Sequence, residues 1–363
     1  MKRRQFLGTL GVGSAALACR SVENSGPAVH TQKKVRWRLA SSFPRSLDTL
    51  YGAAEVLANT ARELSGGSFD IRPHPGGELT GALEVLDSVQ QGAIEVGQTA
   101  SYYYIGKNPA LAFDCCVPFG MTARQQAAWL HEGGGLELTR GCFADFNILN
   151  FPGGNTGTQM GGWFKREVND LSELQGLKMR IPGLGGKVMA NMGVAVQTLP
   201  GAEIYTALER GAIDATEWVG PYDDEKLGFY KVARFYYYPG WWEPGPSLSF
   251  YVNQQKWASL STEHQAIFTA SAKTAELTMQ ARYDTQNPAA LDRLIAAKVQ
   301  LRPFSDDIMK KAHETAVQLL EDTAKADPGY RKIYEPWKAA KTAAFRWFGA
   351  AESAYASYTF PRG

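Results

Sequence analysis

The chain has 363 residues, 44% of them hydrophobic, and a formal net charge of +2 at neutral pH. That length accommodates two cores, and so small a charge makes no electrostatic case for nucleic acid as a partner. A small-molecule partner is the expectation.

Lys2, Arg3 and Arg4 precede an apolar run from Phe6 to Ala18, the pattern of an export signal and too short for a dependable membrane span. Arg3-Arg4-Gln5-Phe6-Leu7 resembles a twin-arginine signal. Ala16-Leu17-Ala18-Cys19 leaves two outcomes open, cleavage after an alanine or a lipid anchor at Cys19. Ser21 to Lys34 is polar and poor in large apolar residues, so residues 1–34 read as export signal and flexible tether. The remaining cysteines, Cys115, Cys116 and Cys142, lack metal-ligand spacing; adjacent Cys115 and Cys116 read as buried small hydrophobes, with a disulfide from Cys142 to one of them still admissible in an exported chain.

Val35 to Ala40 alternates as a strand should, Leu47 to Leu64 predicts a helix ended by Gly66-Gly67, and Phe69 to His74 predicts the next strand. Helix, strand and an aromatic loop follow over Leu79 to Tyr104, then an apolar segment over Leu111 to Phe119. Ile148 to Phe151 predicts a strand leading into the glycine-rich stretch Gly153 to Gly162, which has neither a phosphate-loop nor a dinucleotide pattern, so its glycines read as bends or a hinge. Gln159 is the polar residue of interest there. Further on, Arg180 projects from the short strand of Lys178-Met179-Arg180-Ile181-Pro182-Gly183. Its guanidinium can grip a carboxylate with two hydrogen bonds or simply join a surface ion pair.

Glu203 to Asp224 predicts a helix stopped at Gly211 and an extended run from Ala212 to Val219, which puts Glu217 at a strand end. Glu84, Gly92, Ala93 and Ile94 repeat the pattern of Glu203, Gly211, Ala212 and Ile213, so two similar helix-strand units, one per lobe, are expected with a cleft between them. Tyr236 to Pro244 gathers aromatics around Glu243; it can wall off a bound ion or pack a core. Thr262 to Lys298 predicts a long helical region broken or kinked at Pro288. Ser305 to Asp307 cap another helix, and Ile333, Trp337, Ala340, Ala344, Trp347, Ala351 and Tyr355 form a last apolar stripe, suited to a second subunit or to the chain's own lobes. The alternation of helices and strands predicts an α/β fold with mainly parallel sheets.

Four motifs together resemble the DctP-type extracytoplasmic solute receptors of tripartite ATP-independent periplasmic (TRAP) transporters, particularly their 2-oxo acid-binding group. They are Val117-Pro118-Phe119-Gly120, the segment around Arg180, Gly211 to Trp218, and Tyr238 to Pro244. The resemblance spans about Val35 to Tyr358. It implies a two-lobed periplasmic-binding-protein-like fold with an interlobar ligand cleft and long C-terminal helices. The implied division is 35–155 plus about 248–287 as lobe I, 156–247 plus about 288–328 as lobe II, and 329–363 as a C-terminal helix and dimerisation arm. It also implies that Arg180 anchors the ligand carboxylate, while Gln159, Glu217, the backbone carbonyl of Trp218 and Glu243 form a cation site. Oxygen-rich coordination suits a hard cation, sodium or calcium, better than zinc, and sodium is the expected ion. Tyr103 and Tyr104 follow the first-lobe repeat and are candidates either to close over the ligand or to pack in the core. The implied function is capture of a small 2-oxo acid such as pyruvate and delivery to the TRAP membrane permease, with no catalytic cofactor. Lactate, another organic acid or a polyol are alternative ligands. An exported hydrolase is the rival of another class, but there is no GxSxG elbow or HExxH helix, and His30, His74, His131, His264 and His313 have no catalytic spacing. A ligand sensor is a further alternative.

Overall fold

The computed structural model describes residues 34–360. The export signal, the twin-arginine motif and Cys19 therefore lie outside the described residues. Eleven strands follow in chain order: β1 (Val35–Ser41), β2 (Phe69–His74), β3 (Val96–Thr99), β4 (Ile148–Asn155), β5 (Trp163–Phe164), β6 (Lys178–Arg180), β7 (Ala195–Gln197), β8 (Ala215–Thr216), β9 (Phe235–Tyr238), β10 (Ser247–Asn253) and β11 (Gln300–Pro303). They build two sheets, ordered β2-β1-β3-β10-β4 and β11-β9-β5-β8-β6-β7. In β1 the alternation does what it predicts, burying Trp37 and Leu39 and leaving Arg36 and Arg38 outward.

Both sheets are mixed, by the same device. β1 pairs in parallel with β2 and β3, and β6 with β7 and β8; helical crossovers return those strands in a common direction. β5 and β10, the strands reached at the first two of the chain's three passages between the sheets, lie antiparallel to both of their neighbours, whereas β11, reached at the third, pairs with β9 in parallel. Each sheet thus takes one inverted strand at its junction with the other.

The repeated helix-glycine-strand unit is present once per sheet. Val85–Gln90 and Gly201–Glu209 form the two helices. Gly92 (φ +72°) and Gly211 (φ +73°) take the left-handed conformation that ends each of them. The backbone bonds match: Ala93 N–H donates to Ser88 O at 3.0 Å, and Ala212 N–H to Ala207 O at 2.9 Å. The extended run expected over Ala212 to Val219 is shorter, only Ala215–Thr216 being sheet. Beyond it the Glu217 N–H still donates to Arg180 O, but Val219 O accepts from Met160, so the chain leaves the sheet to line the junction.

Two further expectations are narrowed. Of the break or kink expected at Pro288 the break is absent, since helix Thr262–Ala296 runs through it; Pro288 is on the exposed flank, where water can hydrate the carbonyl its ring leaves unbonded. The last apolar stripe divides in two. Ile333 and Trp337 are buried, with Trp337 packed on Phe113, whereas Trp347 (64% exposed), Tyr355 and Tyr358 (90%) face outward. Cys115, Cys116 and Cys142 are all free thiols, so no disulfide joins them. Among the described residues no helix is long and apolar enough to cross a membrane.

The junction itself is backbone threaded between backbone. Gly161 N–H donates to Tyr237 O at 2.7 Å, Tyr237 N–H to Gly162 O at 2.9 Å and Gly240 N–H to Gln159 O at 2.9 Å. At Gly162 (φ +81°) a Cβ would come within 2.3 Å of Thr216 O. Gly162→Ala therefore meets both a disfavoured conformation and a backbone clash, and is expected to cost about 2 kcal/mol or more of stability, read from denaturant melts. An unshifted midpoint would contradict this packing.

Candidate ligand-binding site

Arg180 ends β6 with its side chain turned inward, 1% exposed. A buried guanidinium needs its donors satisfied. Its Nε donates to Leu199 O at 3.1 Å, its Nη1 donates to the backbone O of Glu217 at 3.4 Å, and Nη1 also pairs closely with Glu217 Oε1. The cation lies over the Trp218 ring, 5.1 Å from its centroid. Trp218 is held in turn by Gly201, where any Cβ would lie 2.4 Å from the indole. Arg180 Nη2 has no hydrogen-bond partner among the described residues.

Glu217, Gln159, Trp218 and Arg180 line one cavity together with Tyr102, Tyr103, Phe43 and Leu50, and its interior has room for about one water molecule. Glu243 is directly adjacent: its backbone O accepts from the Gln159 N–H at 3.1 Å. Oε2 of Glu217, Oε2 of Glu243 and Oε1 of Gln159 are all buried without a hydrogen-bond partner among the described residues. Burial raises the Glu217 pKa, Arg180 opposes that rise, and Asp224 adds to it. Glu243 is held well above the usual carboxylate range by burial first and by the charge of Glu217 next. One guanidinium is thus set against two buried carboxylates, an imbalance that only a proton or a bound cation can relieve.

The residues fit a hard cation in their chemistry. Three buried oxygens wait unpaired, and none is a soft donor. Among the described residues no three His, Cys, Asp or Glu side chains cluster as a metal site, so any ion here depends on the Gln159 amide, backbone oxygen and ligand as well as on the two glutamates.

Of the residues singled out in the sequence, Arg180, Gln159, Glu217, Trp218, Glu243 and Tyr103 come together. Tyr104 does not. Its hydroxyl meets Thr99 Oγ1 at 3.0 Å and its ring packs on Tyr251, inside the first lobe's core. The 3₁₀ turn Ser101–Tyr104 is the reason: three residues per turn send successive side chains about 120° apart, so adjacent tyrosines cannot all face one cleft. Tyr102 takes the place beside Tyr103. Phe43, Leu50, Thr156, Val219 and Leu248 also line the cavity; Tyr102 stood in the Tyr102-Tyr103-Tyr104 run, but the apolar residues carried no signal separating them from core.

Two more buried acids follow the Glu217 segment, Asp224 bonded within the second lobe and Asp223 bonded across to the first. Asp224 accepts from Trp163 Nε1 at 2.8 Å, the Tyr236 hydroxyl at 2.7 Å and the Val219 and Gly220 N–H groups at 3.2 Å each. Asp223 accepts from Thr49 and Tyr283 hydroxyls, both at 2.6 Å. Thr49 opens helix Leu50–Leu64 of the first lobe and Tyr283 belongs to the long helix that passes both lobes.

Two mixed sheets with a small, charged cavity lined by residues of both define a receptor for a small ligand. The chain belongs to the DctP family: residues 40–327 match bacterial extracellular solute-binding protein, family 7. Its members are transport receptors rather than enzymes. The chain is 51% identical over 360 residues, 99% of each sequence, to a monocarboxylate 2-oxoacid-binding periplasmic protein of Nostoc sp.. It superposes with a TM-score of 0.89 on a TRAP transporter solute-binding protein of Bordetella bronchiseptica at 44% identity, covering 90% of this chain and 98% of that one. That protein is a mixed-occupancy dimer with calcium and picolinate in one active site. A TRAP periplasmic solute-binding protein of Pseudoalteromonas atlantica, with bound sodium and pyruvate, matches with a TM-score of 0.88 and 40% identity over 91% of this chain and 100% of that chain.

Burial raises the Asp223 pKa from 3.8 to about 6, against the two hydroxyl donors. The folded protein therefore keeps a proton that the unfolded chain releases between about pH 4 and 6, and this contribution to stability is lost as pH rises through that window. Asp223→Asn is expected to flatten the melting-temperature profile over pH 4 to 6; an unchanged slope would remove Asp223 as its source.

Proposed function

We propose that this protein is the periplasmic receptor subunit of a TRAP transporter, capturing a 2-oxo monocarboxylate such as pyruvate together with a cation and delivering it to the membrane permease. The observation that carries this reading is the buried Arg180, with one donor nitrogen unpaired, beside three unpaired buried oxygens of Glu217, Glu243 and Gln159. A 2-oxo acid supplies a carboxylate for the guanidinium and a carbonyl oxygen for an ion at those oxygens. The ligands named for the Nostoc, Bordetella and Pseudoalteromonas relatives support the same class. A neutral polyol would leave Arg180 without an anion, and lactate would replace the carbonyl oxygen with a hydroxyl.

Sodium is the cation expected from the resemblance. Charge counting favours a second reading, because the ligand carboxylate, Glu217 and Glu243 outweigh Arg180 by two charges when all are ionised, and calcium cancels what sodium only halves. In this reading Tyr102 and Tyr103 close on the ligand from lobe I (35–155 plus about 248–287). The charged set belongs to lobe II (156–247 plus about 288–328), with the division passing inside helix Thr262–Ala296. Export by the twin-arginine route follows from Arg3-Arg4, and the mass of the mature protein distinguishes cleavage after an alanine from lipidation at Cys19. The exposed Trp347, Tyr355 and Tyr358 of residues 329–363 support a homodimer through this arm.

Calorimetry with pyruvate, 2-oxobutyrate, lactate and succinate, with and without sodium or calcium, tests the reading. Arg180→Ala is expected to weaken 2-oxo acid binding about 100-fold or more, close to 3 kcal/mol, and Glu217→Gln to abolish its dependence on the cation. Unaltered titrations for both variants would reject the site. In sedimentation velocity, the double variant Trp347→Asp, Tyr355→Asp is expected to be monomeric at concentrations where the parent is dimeric; identical profiles would remove the arm from the interface.

A further inference from the structure

Asp114 is fully buried in the short helix Ala112–Cys115, and its carboxylate is used nowhere in the charged cavity. Its Oδ2 accepts from the hydroxyls of Ser101 (2.5 Å) and Ser249 (2.7 Å), and its Oδ1 from the Asn150 side chain at 2.6 Å. Ser101 also shares a hydrogen bond with the Tyr251 hydroxyl at 2.6 Å. The three donors come from the end of β3, from β4 and from β10, which lie side by side in the first sheet. A buried carboxylate takes as many donors as it can reach, and each donor is thereby fixed in direction.

Two of those donors stand next to the cavity wall. Ser101 is the first residue of the 3₁₀ turn whose next two residues, Tyr102 and Tyr103, line the cavity, and Ser249 follows Leu248, which lines it too. A four-residue 3₁₀ turn has little stability of its own. Its first residue is held by the Asp114 carboxylate, so the direction in which the tyrosines leave the sheet is set from behind. Burial raises the Asp114 pKa while the three donors oppose the rise, and Arg140 is the cation whose charge reaches it.

We propose that Asp114 is a positioning residue for ligand capture, holding the Ser101–Tyr104 turn and the start of β10 so that Tyr102, Tyr103 and Leu248 present a preformed first-lobe wall to the ligand. This rests on the receptor reading above. It assigns ligand affinity to a carboxylate that does not touch the ligand.

The test compares Asp114→Ala, Asp114→Asn and Ile71→Ala, the last a core truncation on the edge strand β2 at a residue that neither lines the cavity nor bonds to Asp114. Pyruvate affinity is measured by calorimetry in buffer holding sodium and calcium, well below each variant's melting temperature. Asp114→Ala is expected to weaken binding at least tenfold. Asp114→Asn, whose oxygen still receives a hydroxyl donor, is expected to recover most of that loss, and Ile71→Ala to bind as the parent does despite a lower melting temperature. Parental affinity in Asp114→Ala, or equal losses in Asp114→Ala and Ile71→Ala, would overturn the proposal. Should Asp114→Ala not fold, Ser101→Ala decides: about threefold weaker binding supports the proposal and parental affinity overturns it. A parent protein that binds no 2-oxo acid would overturn the receptor reading and this inference together, whereas a binding parent with an unaffected Asp114→Ala overturns this inference alone.

Discussion

The buried pair of Arg180 and Glu217 is the interaction from which the rest of the site takes its character. Removing both charges from water carries a desolvation penalty of several kcal/mol per ion, which close pairing only partly offsets. Glu243 then adds a second carboxylate with no second guanidinium to meet it, and burial and the charge of Glu217 push it toward its protonated form. The unpaired carboxyl and amide oxygens favour a cation, and the unpaired Arg180 nitrogen favours an anion. The two preferences are compatible only if both arrive together, which is a physical basis for joint capture.

That arrangement is held by backbone rather than by loops free to move. The segment around Gln159 to Gly162 is bonded on one side to Val219 and on the other to Tyr237, Gly240 and Glu243. Gly240 shows how close the strands come, since a Cβ there would lie 2.6 Å from the carbonyl oxygens of both Gln159 and Met160. The residues carrying the charges are therefore placed by three chain segments that meet at one point, and none can shift without breaking bonds to the others. Precise first contacts supported by a rigid surround are what a polar site needs if its affinity is not to be spent on ordering it.

The first lobe contributes little charge and a good deal of shape. Phe43, Leu50, Tyr102 and Tyr103 line the same cavity as Arg180 and Glu217, so an apolar and aromatic wall stands with the ionic one, and polar contacts are stronger where water is excluded. Asp223 bridges Thr49 of the first lobe and Tyr283 of the long helix. Its neighbour Asp224 holds the Val219 and Gly220 amides, and so the chain leaving Glu217. Carboxylates thus stand in two states here, some left short of partners in the cavity and others saturated with donors that hold the frame.

Much of this was legible in the chain alone, for identifiable reasons. Arg180, Glu217, Gln159 and Glu243 each stand in a local motif whose residue types are unusual for a core, and the paired helix-glycine-strand units repeat because each glycine must adopt a left-handed backbone wherever that helix end is used. Such signals depend on a few neighbouring residues and survive in one dimension. The tertiary structure alone decided that Tyr102 and not Tyr104 faces the cleft, that Pro288 leaves its helix unbroken, that Trp337 is buried while Trp347 is exposed, and that Asp114 and Asp223 are bonded across lobes and strands. In every one of these cases the outcome depends on which distant segment packs against the residue. The energy that selects it, burial against a particular neighbour or a hydrogen bond to one, is absent from the local sequence.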